Sequence, residues 1–285
     1  MAVVTESVYD RIVASNYGVL TRKEQARLRR SQVCVVGAGG VGGQLAIQCA
    51  RLGIGSIRVI DDDHFEYSNL NRQMLSTTAT IGRPKALIAQ EHLTAINPDI
   101  DVDGIVTRLT ADNAAELLAD ADVVVDCTDN LVSRVIVHRS ARALLIPSVW
   151  IAVTPPFRGA VTTFVPHGTD YESALGVPSA GLQLTEDVRV TVTAQKDGRA
   201  RRSVERGALA EWGEGYLAGR LSWAVISPVA GIIGILAAFE AMKVLIARPG
   251  LEPVTAPRLT VVDLASPEMV RACEPPSGGW RYEEL

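Results

Sequence analysis

A glycine-rich stretch near the start of the chain has residue types that could bind phosphate. It reads Gly37-Ala38-Gly39-Gly40-Val41-Gly42-Gly43, directly after a short β-branched run and at the start of a segment with helical spacing. Backbone N–H groups at a helix N-terminus and the helix dipole attract anions, and glycines let a phosphate approach the backbone. Gly37, Gly39, Gly40 and Gly42 are therefore predicted to bind nucleotide phosphates. The alternative is that these glycines only tighten a turn between a strand and a helix.

One carboxylate follows at the spacing that a nucleotide site requires. Asp61 lies 19 residues beyond Gly42, at the end of a second predicted strand. A carboxylate in this place can accept hydrogen bonds from ribose hydroxyls. These features alone are also those of an NAD(P)-dependent oxidoreductase, which remains the leading alternative function.

Two cations and an acid further along the chain favour chemistry on ATP instead. Arg72, Lys85 and Asp129 have no role in hydride transfer. A carboxylate that attacks the α-phosphorus of ATP needs fixed positive charge, and the departing pyrophosphate needs a metal ion. Arg72 and Lys85 supply the charge, and Asp129, just past the end of a strand, can hold Mg²⁺. The alternatives are ordinary surface bases and, for Asp129, a helix N-cap.

The elements that must position these residues alternate between strand and helix along the first half of the chain. The patterns of apolar residues predict strands at 32–36, 56–60, 101–107 and 123–127, and helices at 41–52, 84–96, 112–118 and 131–145. Strict alternation of this kind predicts an α/β fold, with a Rossmann-like, doubly wound and mainly parallel sheet and right-handed crossovers.

The pattern changes after about residue 148, although a single domain is predicted over 1–285. Within it, 1–31 is an N-terminal helical segment, 32–150 the nucleotide-binding part and 151–285 the substrate-binding part. Further, antiparallel strands at 158–165 and 258–264 and a long crossover loop at 166–222 are predicted. The charged segment 195–206 in that loop is interpreted as a solvated hairpin or a flexible excursion, with a clamp on an acidic substrate as the alternative.

The composition is that of a globular protein with a large core. The chain has 285 residues, 47% of them hydrophobic and 21% charged, and a formal net charge of −4. This charge gives no attraction to nucleic acid or to an anionic membrane. The N-terminus lacks the pattern of a secretory signal, which predicts a cytoplasmic location. The apolar run from Ala224 to Phe239 has 16 residues, fewer than the about 20 of a membrane span, and is predicted to form a buried helix.

Four cysteines occur without a CxxC pair: Cys34, Cys49, Cys127 and Cys273. This arrangement offers neither a disulfide framework nor a four-cysteine zinc site. Cys127 is close enough to Asp129 to suggest a nucleophile, but the apolar strand before it favours a buried structural thiol.

Taken together, these residues resemble the E1-like activating enzymes, the adenylyltransferase group that includes ThiF, MoeB, HesA and the ubiquitin-activating enzymes. The similarity covers roughly residues 5–165 and 224–265. The combination is far more specific than any single motif. It runs through Gly37-x-Gly39-Gly40-x-Gly42, Ile60-Asp61-x-Asp63, Ser68-Asn69-Leu70-x-Arg72-Gln73, Gly82-x-Pro84-Lys85, Asn97-Pro98, Asp126-Cys127-Thr128-Asp129-Asn130 and Pro228-x-x-Gly231-x-x-Gly234.

The resemblance implies an enzyme that uses Mg²⁺ and ATP to adenylate a carboxylate, with release of pyrophosphate. It implies that Asp61 binds the ribose and Asp129 the Mg²⁺, and that Arg72, Lys85 and Asp129 are catalytic. Arg11, in Tyr9-Asp10-Arg11, is implied to enter the ATP site of a partner subunit, which predicts a homodimer. The other implied cofactor-binding residues are Gly37, Gly39, Gly40, Gly42, Asp63, Asn69, Gln73 and Asn130.

The chain departs from many E1-like enzymes in its cysteines. Many relatives carry two CxxC pairs for structural zinc, and some a catalytic cysteine in the crossover loop, whereas no cysteine lies between Cys127 and Cys273 here. Zinc is therefore not expected, and the enzyme is predicted to stop at the acyl-adenylate or to pass it to an external nucleophile. The predicted substrate is the C-terminus of a ubiquitin-like sulfur-carrier protein, or a small-molecule or peptide carboxylate. A non-catalytic partner subunit of an E1-like assembly is a further alternative.

Overall fold

The computed structural model describes residues 7–183 and 197–285, which form one mixed sheet with helices on both faces. The strands are β1 Gln32–Val36, β2 Ser56–Ile60, β3 Asp101–Ile105, β4 Val123–Asp126, β5 Ser148–Thr154, β6 Arg158–Phe164, β7 Leu259–Asp263 and β8 Val270–Cys273. Their order across the sheet is β3-β2-β1-β4-β5-β6-β7-β8. The neighbours from β3 to β5 are parallel, and those from β5 to β8 are antiparallel. The predicted fold class is confirmed.

The helices cover the sheet and fill the long connection between β6 and β7. They are α1 Val8–Ile12, α2 Arg22–Arg30, α3 Gly40–Leu52, α4 Lys85–Ile96, α5 Ala114–Leu118, α6 Leu131–Ala143, α7 Tyr171–Leu175, α8 at 197–205, α9 Ala210–Leu217 and α10 Ser227–Ile246. α2 begins after Thr21, which forms a reciprocal capping box with Glu24.

β1 shows how the two faces of the sheet are covered. Val33 and Val35 pack in a cluster with residues of α3, α4 and α10, whereas Cys34 and Val36 pack in a cluster with residues of α5 and α6. Successive side chains of a strand point to opposite faces, and a parallel sheet is buried on both. The uninterrupted apolar run of β1 follows from this double burial.

Two strands, β5 and β8, were not predicted from the sequence. β5 runs from Ser148 to Thr154 and is almost wholly buried, so it lacks the alternation that marks a half-exposed strand. Its position also means that the sheet continues across the predicted border at 150/151. The strand therefore connects the parallel part of the sheet to the antiparallel part.

The described part of the charged segment is helical. Residues 197–205 form α8, so the interpretation of 195–206 as a solvated hairpin is wrong there, while residues 195 and 196 lie outside the described residues. A helix was not expected because the segment is rich in charge and has no long apolar stripe. Its contacts with distant residues are described below.

α10 is the apolar helix that the sequence predicted. Among the described residues it is the one helix with the length and composition of a membrane span, with a mean hydropathy of 2.1 over its most apolar window. Of that window, 61% is buried inside the protein. α10 packs against α3, β5 and β6, and this packing accounts for the buried part of its apolar surface.

Candidate functional site

The phosphate turn lies where β1 ends and α3 begins. Gly37 has a φ of +98°, in the left-handed region, and a Cβ there would lie 2.7 Å from the carbonyl oxygen of Cys127. A Cβ on Gly42 would lie 1.8 Å from the carbonyl oxygen of Gly37. Side chains are therefore excluded at both positions, and the turn packs directly against the end of β4.

α3 begins at this turn without a side-chain cap. Gly39 is its N-cap residue and offers no side-chain oxygen to the first N–H groups of the helix. These groups have no intrahelical acceptor, and they lie at the positive end of a 13-residue helix. Gly39, Gly40 and Gly42 thus form a helix terminus that could bind an anion.

Asp61 lies beside the turn at the end of β2. Its Oδ2 accepts a hydrogen bond from the Ala38 N–H at 2.6 Å, and its Oδ1 accepts one from the Asp63 N–H at 2.8 Å. Burial raises the pKa of Asp61, although both hydrogen bonds and the charge of Lys85 oppose the shift. Each carboxylate oxygen keeps a second lone pair. Asp61 can therefore accept a ribose hydroxyl while it holds the turn.

A buried lysine pairs with an exposed acid at the first residue of α4. Lys85 is 6% exposed, and its Nζ lies 3.0 Å from Oδ2 of Asp63. The pair borders an open cavity of about 320 Å³ that is lined by Asp62, Asp63, His64, Glu66, Asn69 and Lys85. A buried cation needs an anionic or hydrogen-bonding partner, so Lys85 is well placed to meet a bound phosphate from this cavity.

Two buried amides complete this side of the site. Oδ1 of Asn69 accepts a hydrogen bond from the Glu66 N–H at 3.0 Å and so holds the turn that borders the cavity. Gln73 is 7% exposed, and its Oε1 has no hydrogen-bond partner in the described part of the chain. Buried amide oxygens are rarely left without a donor. The Gln73 oxygen therefore indicates a place for a donor from a ligand or from water.

Arg72 lies against the first turn of α3. Its carbonyl oxygen is 3.2 Å from the place where a Cβ on Gly40 would lie. Its Nη1 donates to the carbonyl oxygen of Ser68 at 2.9 Å and to Oδ1 of Asn71 at 2.7 Å. Burial lowers the pKa of Arg72, and the negative charge of Asp129 opposes the shift. The guanidinium and the Asp129 carboxylate therefore act on the same site.

Asp129 follows β4 and is exposed. The N-cap of α6 is Asn130, whose Oδ1 accepts a hydrogen bond from the Ser133 N–H at 2.8 Å. The N-cap alternative for Asp129 is thus wrong. Within residues 7–183 and 197–285 no hydrogen bond or ion pair involves the Asp129 carboxylate. Both of its oxygens are available to a ligand.

An available carboxylate of this kind fits Mg²⁺, a hard cation that binds carboxylate oxygens and keeps several waters. The carboxylates of Asp61, Asp62 and Asp63 also approach within 4.8 Å of one another. In that group, however, Asp61 accepts two backbone hydrogen bonds and Asp63 pairs with Lys85. Asp129 is therefore the residue that best fits the predicted metal.

Arg11 lies far from these residues within its own chain. Tyr9 attaches α1 to the end of α3, since its Oη donates to the carbonyl oxygen of Gly53 at 2.7 Å. The phosphate turn is at the other end of α3, about 18 Å away at 1.5 Å per residue. The structure brings the other predicted catalytic residues to one edge of the sheet, but it does not bring Arg11 there.

A buried polar network behind Asp129 was not found from the sequence. Nε2 of His138 lies 3.2 Å from Oδ2 of Asp126, and its Nδ1 lies 2.8 Å from Oγ of Ser148. Oδ1 of Asp126 accepts hydrogen bonds from the N–H and the Oγ1 of Thr128 at 3.0 and 2.7 Å. Burial alone raises the pKa of Asp126, but the His138 hydrogen bond and nearby positive charge outweigh it, so that the pKa is lowered. The three residues resemble a Ser-His-Asp triad, yet none is more than 3% exposed, and their effect is to hold the loop before Asp129.

Arg134 supports the same loop from α6. It is 4% exposed, and its Nη2 donates to the carbonyl oxygen of Thr128 at 2.7 Å while its Nη1 donates to that of Ile151 at 2.5 Å. The available sequence signal was the spacing of four between Arg134 and His138, which places both on one face of the helix.

Cys127 is not prepared for nucleophilic attack. Burial raises its pKa well above that of an ordinary thiol. The thiolate is the nucleophilic form of cysteine, so this environment supports the prediction of a structural thiol.

The sequence is similar to known proteins over most of its length. The model of the ThiF family matches residues 9–278. A sulfur carrier protein adenylyltransferase of Thermus thermophilus is 44% identical over 140 residues, which are 49% of this chain and 51% of that protein. The adenylyltransferase and sulfurtransferase MOCS3 of Anopheles gambiae is 32% identical over 252 residues, which are 88% of this chain and 48% of that protein. The chain spans about half the length of these curated relatives.

Solved structures share the fold. E. coli MccB with ATP has a TM-score of 0.64 and 20% identity, over 90% of this chain and 67% of that chain. E. coli MccB with MccA-N7isoASN has a TM-score of 0.68 and 18% identity, over 95% of this chain and 71% of that chain. At these identities the likeness concerns the arrangement of the elements.

Proposed function

Because the chain belongs to the ThiF family, we propose that it is an ATP-dependent adenylyltransferase that activates a carboxylate as an acyl-adenylate. The observation that carries the proposal is the meeting of an anion-binding turn with Arg72, Lys85 and Asp129 at one edge of the sheet. An oxidoreductase needs the turn and Asp61 but not these three residues. One solved structure with this fold is that of MccB with ATP, which agrees with ATP as the nucleotide.

The proposed reaction joins two anions, so the site must neutralise charge. An oxygen of the acyl carboxylate attacks the α-phosphorus, the bond to the bridging oxygen breaks, and pyrophosphate leaves. Asp61 orients the ribose, and the N–H groups at the start of α3 hold the phosphates. Arg72 and Lys85 stabilise the charge that develops on the phosphate oxygens. Asp129 would hold Mg²⁺, and a metal ion there would supply charge neutralisation for the pyrophosphate.

The proposed acyl substrate is the C-terminus of a ubiquitin-like sulfur-carrier protein, with a small-molecule or peptide carboxylate as the second candidate. The first follows from the relatives, which are sulfur carrier protein adenylyltransferases. No cysteine between Cys127 and Cys273 is available for a covalent sulfur step or for zinc. We therefore assign to the chain the adenylation step alone, without zinc. A cytoplasmic location remains part of the proposal.

Exchange of labelled pyrophosphate into ATP tests this function. Exchange is expected only with Mg²⁺ and a cognate carboxylate, offered as a panel of carrier-protein C-termini, peptides and metabolites. Asp129→Ala should lower the exchange rate at least about 100-fold without loss of stability, because the carboxylate makes no hydrogen bond or ion pair with the described residues. Asp112→Ala removes another exposed acid and should change nothing. Binding of NADH without binding of Mg²⁺-ATP would instead establish the oxidoreductase alternative.

We further propose a homodimer in which Arg11 completes the site of the partner subunit. The support is its position, since α1 lies at the far end of α3 from the phosphate turn. Arg11→Ala and Asp129→Ala should each be inactive alone. Mixed in equal amounts with subunit exchange, they should recover about one quarter of the full activity, because half of the dimers then contain one intact site. Recovery of no activity in verified mixed dimers would disprove action in trans.

A further inference from the structure

A row of arginines on and just after α8 contacts the segment formed by residues 280–285, here called the C-terminal segment. Nη1 of Arg199 lies 3.3 Å from Oη of Tyr282, and Nη2 of Arg202 lies 3.6 Å from Oε1 of Glu284. Nη1 of Arg206 donates to the carbonyl oxygen of Glu284 at 2.5 Å. Residues spaced by three or four on a helix lie on one face. The three arginines thus form one basic surface that contacts the C-terminal segment.

The C-terminal segment ends at the same edge of the sheet as Asp129. Oγ1 of Thr154, the last residue of β5, donates to the carbonyl oxygen of Leu285. β5 pairs with β4 in parallel, with Trp150 opposite Asp126, the last residue of β4, so the carboxyl ends of both strands, and with them Thr154 and Asp129, lie at the same edge of the sheet. The segment therefore borders the proposed adenylation site.

Aromatic side chains form the walls of the groove that holds the segment. Tyr282 is 4% exposed and packs in one cluster with Leu131 and Trp150. The guanidinium carbon of Arg199 lies 5.1 Å from the ring centroids of both Tyr282 and Trp223. Arg199 is thus held between two rings by cation–π contacts, and its Nη2 donates to Oγ1 of Thr154 at 3.2 Å.

The groove offers more hydrogen-bond donors than the C-terminal segment uses. Buried donors without a partner among the described residues are Nε of Arg134, Nε1 of Trp150, Oη of Tyr171 and Nε of Arg199. The guanidinium carbon of Arg134 lies 5.7 Å from the centroid of the Trp150 ring, and the centroids of the Trp150 and Tyr171 rings are 6.5 Å apart. Buried donors are rarely left unpaired. The residues around the C-terminal segment therefore keep hydrogen-bonding capacity that the segment does not use.

We propose that this groove binds the peptide chain that carries the acyl carboxylate, and that the C-terminal segment occupies it in cis until that chain displaces it. The proposal rests on the proposed adenylation function. The arginines and the unpaired donors fit an acidic peptide, whose backbone carbonyls and carboxylates are acceptors. A small neutral metabolite would leave the arginine surface without a partner.

Glu284→Arg in the full chain tests the competition, because it places a cation against Arg202 and Arg206 and leaves the groove unchanged. Hydrogen–deuterium exchange of amides 280–285 should become faster. A fluorescein-labelled peptide with the sequence of residues 279–285 should bind about fivefold more tightly than to the unaltered chain, as measured by anisotropy. The KM of the acyl substrate in pyrophosphate exchange should fall by a similar factor at unchanged kcat.

Two matched variants control for charge. Glu283→Arg makes the same change one position earlier, where no ion pair joins the side chain to the described residues, and it should leave peptide binding unchanged. Combining Arg202→Glu with Glu284→Arg restores opposite charges, so slow deuterium exchange and weak peptide binding should return.

The proposal is wrong if Glu284→Arg frees the segment without strengthening peptide binding, or if the segment stays protected and the peptide still binds no better. Peptide binding needs no ATP. Absence of pyrophosphate exchange with every carboxylate, together with the expected peptide binding, would therefore overturn the adenylation proposal and leave the peptide groove standing.

Discussion

The phosphate turn and the groove of the C-terminal segment are formed by opposite means. In the turn, backbone meets backbone and side chains are excluded, as at Gly42, where a Cβ would lie 1.8 Å from a carbonyl oxygen. In the groove, large polar and aromatic side chains meet, and Arg134, Trp150 and Tyr282 are each at most 4% exposed.

The turn is formed by residues that are close in sequence, and the groove by residues that are distant in sequence. The turn depends on residues a few positions apart, and its shape follows from the lack of side chains. The groove joins α6, β5, α8 and the C-terminal segment, so its members are distant in sequence and their types are common. We expect the turn to fail when volume is added and the groove to fail when a polar partner is removed.

Gly42→Ala should have the largest effect and would test the claim that added volume breaks the turn. The methyl group would overlap the Gly37 carbonyl, and we expect a loss of about 3 kcal/mol in the free energy of unfolding together with loss of ATP binding. Urea unfolding measures the free energy of unfolding, and isothermal titration calorimetry measures ATP binding. Gly231→Ala is the control, since no atom lies within 4 Å of a Cβ there, and it should be neutral or slightly stabilising. Equal stability and equal ATP binding of the two variants would contradict the claim that added volume breaks the turn.

Lys85→Met would show whether the ammonium group of Lys85 serves adenylation or the stability of the fold. The methionine keeps the apolar stem and removes the ammonium, while the partner Asp63 remains hydrated at 69% side-chain exposure. We expect pyrophosphate exchange to fall about 100-fold and the free energy of unfolding to change by less than about 1 kcal/mol. A large loss of stability with normal exchange would show that Lys85 is structural.

Glu172→Ala tests the second half of the comparison, the removal of a polar partner near the groove. Glu172 is 5% exposed and receives hydrogen bonds from Nε and Nη2 of Arg139 at 2.6 and 2.8 Å. Because Arg139 is about one-third exposed, we expect a loss of about 2 kcal/mol rather than the larger cost of a fully buried pair. ATP affinity should be unchanged. Glu91→Ala, which breaks the exposed pair with Arg83, should cost less than about 0.5 kcal/mol in urea unfolding.

Glu24→Gln should have the smallest effect, and it tests a pair that connects the N-terminal segment to the end of α10. Hydrogen bonds from Arg248 and Thr21 lower the pKa of Glu24 from 4.5 to about 2. A carboxyl with a lowered pKa stabilises the folded protein above pH 4.5, and this contribution disappears as the pH falls towards 2. The Tm of the unaltered chain should exceed that of the variant at pH 6, and the two should converge near pH 2. A difference in Tm that stays constant from pH 6 to pH 2 would show that the Glu24 carboxylate does not stabilise the fold through its lowered pKa.

The sequence predicted the local part of the site well and the distant part poorly. The bounds of β1 and β2 agree with prediction, because short apolar runs next to turns are readable from periodicity. Asp61, Lys85 and Arg72 were found from their spacing and lie at one edge. The Asp126, His138 and Ser148 network was missed, because no local pattern marks residues from a strand, a helix and a second strand.

The charged segment illustrates the same limit. Its arginines have the composition of a solvated surface, and only the position of Glu284 and Tyr282 beside them shows what they contact. The alternative that Asp129 is the N-cap of α6 was wrong by one residue, since Asp129 and Asn130 are equally good caps in sequence and only the backbone geometry selects Asn130.

By itself, the sequence determined the α/β fold class, the phosphate turn and the family, because glycine spacing and apolar periodicity act over a few residues. Tertiary structure alone decided that Arg11 lies apart from the site in its own chain, that a polar network supports the loop before Asp129, and that the α8 arginines hold residues 280–285. Those outcomes depend on which distant surfaces meet, and burial of common side chains leaves no local pattern that could predict the meeting.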